Sequence, residues 1–182
     1  MALFNLFYTD EIMDKLVEWT NAYTDEQQSF EDKDELQTRH GWLPTSRKEL
    51  YAYFGVLIHI GITIESAIED YWGDLEEDGC SHIVKKYISK NRFQQLDRYI
   101  RATKPWPQDD NSSKSTFDRV NDLSEHLRVL CHKLYNPGAC LAVDETIQHF
   151  MGRASEIVNI PSKPIPEGFK IWVLANEGYI LD

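Results

Sequence analysis

Residues 135–182 run YNPGACLAVDETIQHFMGRASEIVNIPSKPIPEGFKIWVLANEGYILD, and within them the hydrophobic period of the chain changes from helical to two. Asn136-Pro137-Gly138 breaks a helix, because proline has no backbone N–H with which to continue the ladder. Cys140-Leu141-Ala142-Val143 then has the composition of a short buried strand. Asp144 falls where that strand is expected to meet solvent, a good place for a metal-binding carboxylate, although a lone aspartate at a strand end is ordinarily a turn or cap residue. Further on, Phe169 to Ala175, an Asn176-Glu177-Gly178 turn and Tyr179 to Leu181 predict a β-hairpin. In its first strand Phe169, Ile171 and Val173 share one face and Trp172 and Leu174 the other. A strand apolar on both faces needs cover on both sides, as inside an α/β sheet. The expectation is that the 182 residues stop mid-sheet, before any covering helix.

Upstream of this stretch the pattern is helical. Thr9 is a helix N-cap with Asp10 and Glu11 in the first turn, and Ile12, Met13, Leu16, Val17, Thr20 and Tyr23 line one face, which predicts a helix from Asp10 to Ala22. Thr24 to Pro44 is acidic and poor in apolar residues and reads as a surface connection. Ser46 and Glu49 form a capping box for a helix through Leu50, Tyr51, Phe54, Leu57 and Ile58 towards Gly61. Apolar residues surround it almost completely, so it is expected at the centre of a bundle, with His59 as a hydrogen-bonded core histidine. Ile68, Tyr71 and Trp72 add core material before a turn at Asp78-Gly79. Ser89 caps a further amphipathic helix with Phe93, Leu96 and Ile100 on its core face and Arg92, Arg98 and Arg101 on others. Pro105 to Ser113 has linker composition. Phe117, Val120, Leu123, Leu127, Leu130 and Leu134 then predict one long helix.

Composition supports a folded protein, with 42% hydrophobic residues. No run reaches the ~18 apolar residues of a membrane span, and no signal-peptide pattern opens the chain; the expectation is a soluble intracellular protein with no membrane partner. Cys80, Cys131 and Cys140 lack the spacing of a disulfide framework or a zinc site, and buried free thiols are expected. Net charge is −11, but unevenly spread: residues 1–80 hold 5 Lys/Arg against 18 Asp/Glu, residues 81–182 hold 14 against 12. The segment 85–104 carries Lys85, Lys86, Lys90, Arg92, Arg98, Arg101 and Lys104 against Asp97 alone, and it has the charge to engage phosphates. A solvated helix face is the plainer explanation of the same residues.

Several motifs combine into a wider pattern: Asp70-Tyr71-Trp72 after an apolar helix, Ser89 with Arg92-Phe93, Leu134-Tyr135 before Pro137-Gly138, Val143-Asp144-Glu145, Phe150, Gly152-Arg153, Ile160-Pro161, Lys163-Pro164, Gly168 to Leu174, and Gly178-Tyr179. This pattern resembles the piggyBac family of DNA transposases, from about Leu6 to Asp182 and most specifically from Leu134 onward. The resemblance implies a mainly α-helical domain followed by the first β-strands of an incomplete ribonuclease-H-like α/β domain. Residues 1–138 would be a helical DNA-binding and dimerisation-like region, and 139–182 the start of the catalytic domain.

By the same resemblance Asp144 is the first of three catalytic aspartates and a metal ligand, the metal being Mg2+, and the other two lie beyond residue 182. Cut-and-paste DNA transposition by two-metal phosphodiester chemistry is the family activity, and this chain alone is expected to be inactive. The implied partners are DNA and a second copy of the chain, the implied location the nucleus. Arg153 and Lys163 match basic family positions near the active site and join Lys85, Lys86, Lys90, Arg92, Arg98 and Arg101 as DNA-binding candidates. Departures occur at Met151, Ser162 and Pro166-Glu167, where the family is more often basic, polar or aromatic. Two other readings stand beside the transposase: a domesticated non-catalytic DNA-binding or dimerisation module, and an acidic helical protein-interaction domain.

Overall fold

A computed structural model describes residues 2–30, 41–73, 82–106 and 115–182. The expected turn at Asp78-Gly79, Cys80, and most of the Pro105 to Ser113 linker lie outside them. The elements in chain order are α1 (Ala2–Phe7), α2 (Asp10–Phe30), α3 (Arg47–Ile62), α4 (Lys90–Tyr99), α5 (Asn121–Leu134), β1 (Ala142–His149), β2 (Ile157–Asn159), β3 (Glu167–Asn176) and β4 (Tyr179–Ile180), with 3-10 turns at Ile68–Trp72, Ile83–Lys86 and Thr116–Arg119. The chain is thus helix-rich with one small antiparallel sheet. It divides into two compact units, Tyr8–Pro105 and Met1–Phe7 with Trp106–Asp182.

In the helical unit, α2 buries Ile12, Met13, Leu16 and Trp19, α3 buries Leu50, Tyr53 and Val56, and α4 buries Phe93 and Leu96. Each of the fully buried leucines Leu16, Leu50 and Leu96 would cost about 2–5 kcal/mol on truncation to alanine. Thr9 and Ser89 cap as expected, accepting from the N–H of Ile12 (3.4 Å) and Arg92 (3.3 Å). Helix α2 runs eight residues past the expected end at Ala22. Its buried stripe continues through Thr20 and Thr24, whose polarity hides it from a hydrophobic reading. The Thr24 hydroxyl is satisfied within the helix, donating to the carbonyls of Thr20 (3.0 Å) and Asn21 (2.8 Å).

Helix α3 corrects the expectation of a bundle centre. Only one face is buried; Leu57, Ile58 and Ile62 on the remainder are exposed, Ile62 by 78%. Ser46 caps it through the N–H of Glu49 (3.4 Å), but the Glu49 carboxylate is drawn sideways to Thr45 and Arg92 rather than completing a capping box. Tyr71 is buried in its 3-10 turn, and the Trp72 indole N–H reaches the Ile88 carbonyl at 2.9 Å.

In the second unit the long helix expected from Phe117 is interrupted. Ser115 and Asp118 form a capping box around a 3-10 turn, and Val120 (φ −125°, ψ −2°) separates it from α5. Glu156, just before β2, fastens this junction. Its carboxylate accepts from the Ser115 hydroxyl, the Thr116 N–H and the Ser155 hydroxyl, each at 2.9 Å, and from the Thr116 hydroxyl at 3.1 Å.

The sheet has the order β1-β3-β2, with β4 folded back on β3. The expected hairpin is present: β3 and β4 pair through Asn176 and Tyr179, and Glu177 (φ 49°) with Gly178 (φ 84°) make the two-residue turn, both in the left-handed region that a type I′ turn demands. Gly168 (φ 154°) lies opposite His149, where a Cβ would sit 2.1 Å from the Gln148 carbonyl oxygen. Asn176, 4% exposed, ties the hairpin to the segment before β1. Its side chain accepts from the Tyr135 hydroxyl (2.8 Å) and the Gly138 N–H (3.1 Å) and donates to the Cys140 carbonyl (2.6 Å), while Tyr135 stacks on Tyr179 at 4.4 Å.

Three expectations fail here: a buried strand from Cys140 to Val143, its end at Asp144, and buried thiols. Residues Cys140 to Val143 are not a buried strand: β1 starts at Ala142 and runs on to His149, and Val143 is 67% exposed. The strand continues past Asp144 because Glu145 to His149 all find ladder partners on β3. Cys140 is an exposed thiol and Cys131 a half-buried one, so neither is the buried thiol expected. Trp172 on β3 is 61% exposed, so among the described residues nothing covers that part of the sheet.

Two outcomes follow from these ties. Asn176→Ala leaves three polar groups without partners and is expected to lower unfolding stability by about 2 kcal/mol in urea titration. The Glu156 carboxyl is held down at about 2, chiefly by the Thr116 N–H and then by the Ser115 and Ser155 hydroxyls, against an ordinary 4.5. A depressed carboxylate stabilises the fold fully above about 4.5 and loses that contribution as pH falls towards about 2. Glu156→Gln should therefore be less stable than wild type at pH 7 by urea titration, with the difference closing as pH falls towards about 2; equal stability of the two proteins at pH 7 would refute the clamp.

Candidate functional site

Asp144 is the third residue of β1, paired with Val173 of β3, and its side chain is exposed. Its Oδ1 accepts the N–H of Glu145 at 2.8 Å. Alternation along a strand sends Asp144, Thr146 and Gln148 to one face of the sheet and Glu145, Ile147 and His149 to the other. Lys163, in the connection from β2 to β3, reaches Glu145 with its ammonium at 3.1 Å. The expected acidic pair is therefore split between faces, and Lys163 is engaged by the member opposite Asp144. Arg153 is exposed in the connection between β1 and β2. On the Asp144 face, β3 contributes Val173, Ile171 and Phe169, the last against Phe117 and Phe150 at 5.5 and 4.9 Å.

A hard carboxylate oxygen suits magnesium, but the ion takes several oxygen donors. Asp144 offers one carboxylate, and among the described residues no group of three or more His, Cys, Asp or Glu side chains could hold a metal. The described residues therefore do not by themselves fit the ion.

The basic segment lies wholly in the helical unit, and the structure sorts its members. Arg92 is embedded, its side chain 15% exposed. Its guanidinium grips Glu49 with two bonds, 2.8 and 2.7 Å, donates to the Leu43 carbonyl at 2.7 Å and to Gln95 at 3.1 Å, and lies 4.3 Å over the Trp42 ring. Burial pushes the Glu49 carboxyl up, but hydrogen bonds from Arg92 and Thr45 outweigh it and hold it below the ordinary value. Arg101 is half-buried, 3.4 Å over the Tyr23 ring, with its guanidinium on the carbonyls of Tyr99 (3.3 Å) and Ile100 (2.9 Å). Lys85 and Lys86 are exposed on the turn Ile83–Lys86, the Lys85 ammonium near the Gly73 carbonyl at 3.3 Å. Lys90 opens α4, and Arg98 is exposed with its guanidinium 5.5 Å over Tyr99. Among the described residues of this segment Lys85, Lys86, Arg98 and Lys104 are thus exposed, and Lys90 is half-buried.

His59 is hydrogen-bonded, as expected, its Nε2 lying 2.9 Å from His82 Nδ1, but it is half-buried and not a core residue. Reading of the sequence missed the partners: Glu49 looked like half of a capping box, and Asn176 like an ordinary turn residue. Nothing in their local spacing marks residues 43 and 36 positions away, Arg92 and Cys140, as their targets.

No described helix is long and apolar enough to cross a membrane. A solved structure, the cryo-EM structure of the piggyBac transposase synaptic complex with hairpin DNA, matches with a TM-score of 0.79 and 28% identity over 98% of this chain and 36% of that one. The chain spans about a third of that transposase's length. A model of DDE-type transposases, described as Transposase IS4, matches residues 1–182. On that match, which takes in every residue from first to last, the chain belongs to the Transposase IS4 family, in its piggyBac type.

Proposed function

We propose that this chain is the DNA-engaging and early catalytic portion of a piggyBac-type transposase. The likeness over 98% of the chain to a transposase solved with hairpin DNA is the observation that carries this reading. Residues 1–138 serve as the helical DNA-binding and dimerisation-like region, and 139–182 form the opening strands of a ribonuclease-H-like domain. Asp144 would offer one carboxylate to a magnesium site, and the ion would need further oxygen donors beside it. The ion's chemistry, when bound, is activation of the attacking oxygen and stabilisation of the leaving one. What this chain contributes is position: the β1–β3 ladder fixes the carboxylate on one sheet face, and Lys163 and Arg153 supply positive charge on the flanking connections. The reading implies DNA ends and a second copy of the chain as partners, and action in the nucleus.

By itself the 182-residue chain is proposed not to cut or join DNA, since a single carboxylate does not hold two metals. This keeps a second reading in view, a non-catalytic DNA-binding or dimerisation module. The acidic bias of residues 1–80, with 18 Asp/Glu, confines DNA contact to the outward basic residues.

Two measurements test this. In fluorescence anisotropy the purified protein should bind duplex DNA with an affinity that falls steeply with salt. The double substitution Lys86→Gln, Arg98→Gln should weaken it and reduce the log–log salt slope by about 2, near 0.9 per lost phosphate contact. Arg92→Gln should act differently, lowering stability by about 2 kcal/mol through an uncompensated Glu49. Salt-insensitive or absent binding sinks the DNA reading, and magnesium-dependent nicking that disappears in Asp144→Ala sinks the claim of inactivity.

A further inference from the structure

His82 is 8% exposed and stands between two partners. Its Nε2 lies 2.9 Å from Glu65 Oε1 and its Nδ1 2.9 Å from His59 Nε2. A carboxylate only accepts, so His82 carries its proton on Nε2 and its Nδ1 is the acceptor; His59 Nε2 must then donate. This assignment leaves the Nδ1 of His59 as the position for one added proton. A proton at His82 Nδ1 would meet the His59 N–H head-on, whereas one on the other oxygen of Glu65 leaves the chain of hydrogen bonds intact. The cluster therefore holds two added protons, one at each end, and none at its centre.

Its mechanical position gives that count a consequence. His59 is in the last turn of α3, Glu65 in the connection that follows, and His82 is the N-cap of the turn Ile83–Lys86. Tyr71, 3% exposed, closes the third side. Its ring packs on His82 at 5.0 Å and His59 at 6.1 Å, and its hydroxyl accepts the Glu65 N–H at 3.0 Å while donating to the Thr63 carbonyl. Among the described residues, Glu65 and Tyr71 are the titratable groups facing the pair. Of their neighbours on the packed turns, Asp70 caps the Ala67 N–H at 2.9 Å and the Lys85 ammonium lies on the Gly73 carbonyl at 3.3 Å, while Glu69 and Lys86 are exposed.

We propose that Glu65, His82 and His59 form a proton-operated latch holding the end of α3 to the turn that presents Lys85 and Lys86, closed while His82 Nδ1 accepts from His59 and opened by a proton there. The latch does not depend on the DNA reading, because its test reads the hydrogen bonds directly. Long-range 1H–15N NMR of the imidazoles in the 182-residue protein should show His82 as the Nε2–H tautomer at neutral pH. Titration from about pH 8 to about 5, the range in which imidazoles change charge, should then shift the amides of residues 63–72 and 82–88 together in one transition. His59→Gln can still donate to His82 but removes the neighbouring cation that opposes a proton on Nδ1, and should move that opening to higher pH. Glu65→Gln removes the anion that supports a cationic His82, and should move it to lower pH. An Nδ1–H tautomer of His82, or an acid transition that neither substitution moves, overturns the proposal.

Discussion

The placement of Asp144 depends on the register of β1 against β3. A slip of one residue would send its side chain to the opposite face and bring Glu145 in its place, so whatever pins the register also chooses which carboxylate is offered. Three features do so. The Glu177-Gly178 turn fixes the length of the β3–β4 connection, Gly168 admits the close approach of the Gln148 carbonyl at the far end, and the buried Asn176 amide grips the chain before β1 at Gly138 and Cys140. The last is the most selective, because an amide has one acceptor and one donor end and both are used. A shifted register would leave them facing the wrong groups at full desolvation cost.

In the helical unit a similar economy applies to charge. Arg92 and Arg101 belong to the most basic stretch of the chain, yet both turn inward, one onto Glu49 and Trp42, the other onto Tyr23 and backbone carbonyls. A planar guanidinium with five donors suits such crowded sites, and lysine would not replace it without loss. Net charge along a segment therefore overstates its capacity for phosphate. The charge that remains outward sits on Lys85, Lys86, Arg98 and Lys104, within an otherwise acidic unit, and this favours a narrow contact over a broad electrostatic footprint.

What the sequence made legible was whatever depends on neighbours in the chain: the caps at Thr9, Ser46 and Ser89, the core face of α4 at Phe93 and Leu96, the hairpin around Glu177-Gly178, and the hydrogen-bonded state of His59. What it concealed depends on distant partners. The eight further residues of α2 rest on a stripe that turns from aliphatic to threonine at Thr20 and Thr24. The break at Val120 rests on Glu156, some forty positions away. The apolar surround of α3 suggested a bundle centre, but exposure of Leu57, Ile58 and Ile62 shows that hydrophobic composition reports a capacity for burial and not its fulfilment. Asp144 itself was legible as a strand carboxylate but was expected at the strand's end, since the ladder partners of Thr146 and Ile147 lie more than twenty residues downstream.

The surroundings of Asp144 bear on what it can do as much as its position does. An exposed carboxylate in water is screened by a high dielectric, and its attraction for a divalent ion is weak for want of both company and a dry site. The same face of the sheet carries an apolar side chain open to solvent, Ile171 of β3. Covering such a surface would do two things together: remove apolar area from water, at about 25 cal/mol per Å2, and lower the dielectric around the carboxylate. The contribution of the hydrophobic surface to chemistry would then be indirect. It would recruit the covering structure, and that structure would exclude the water that screens the carboxylate.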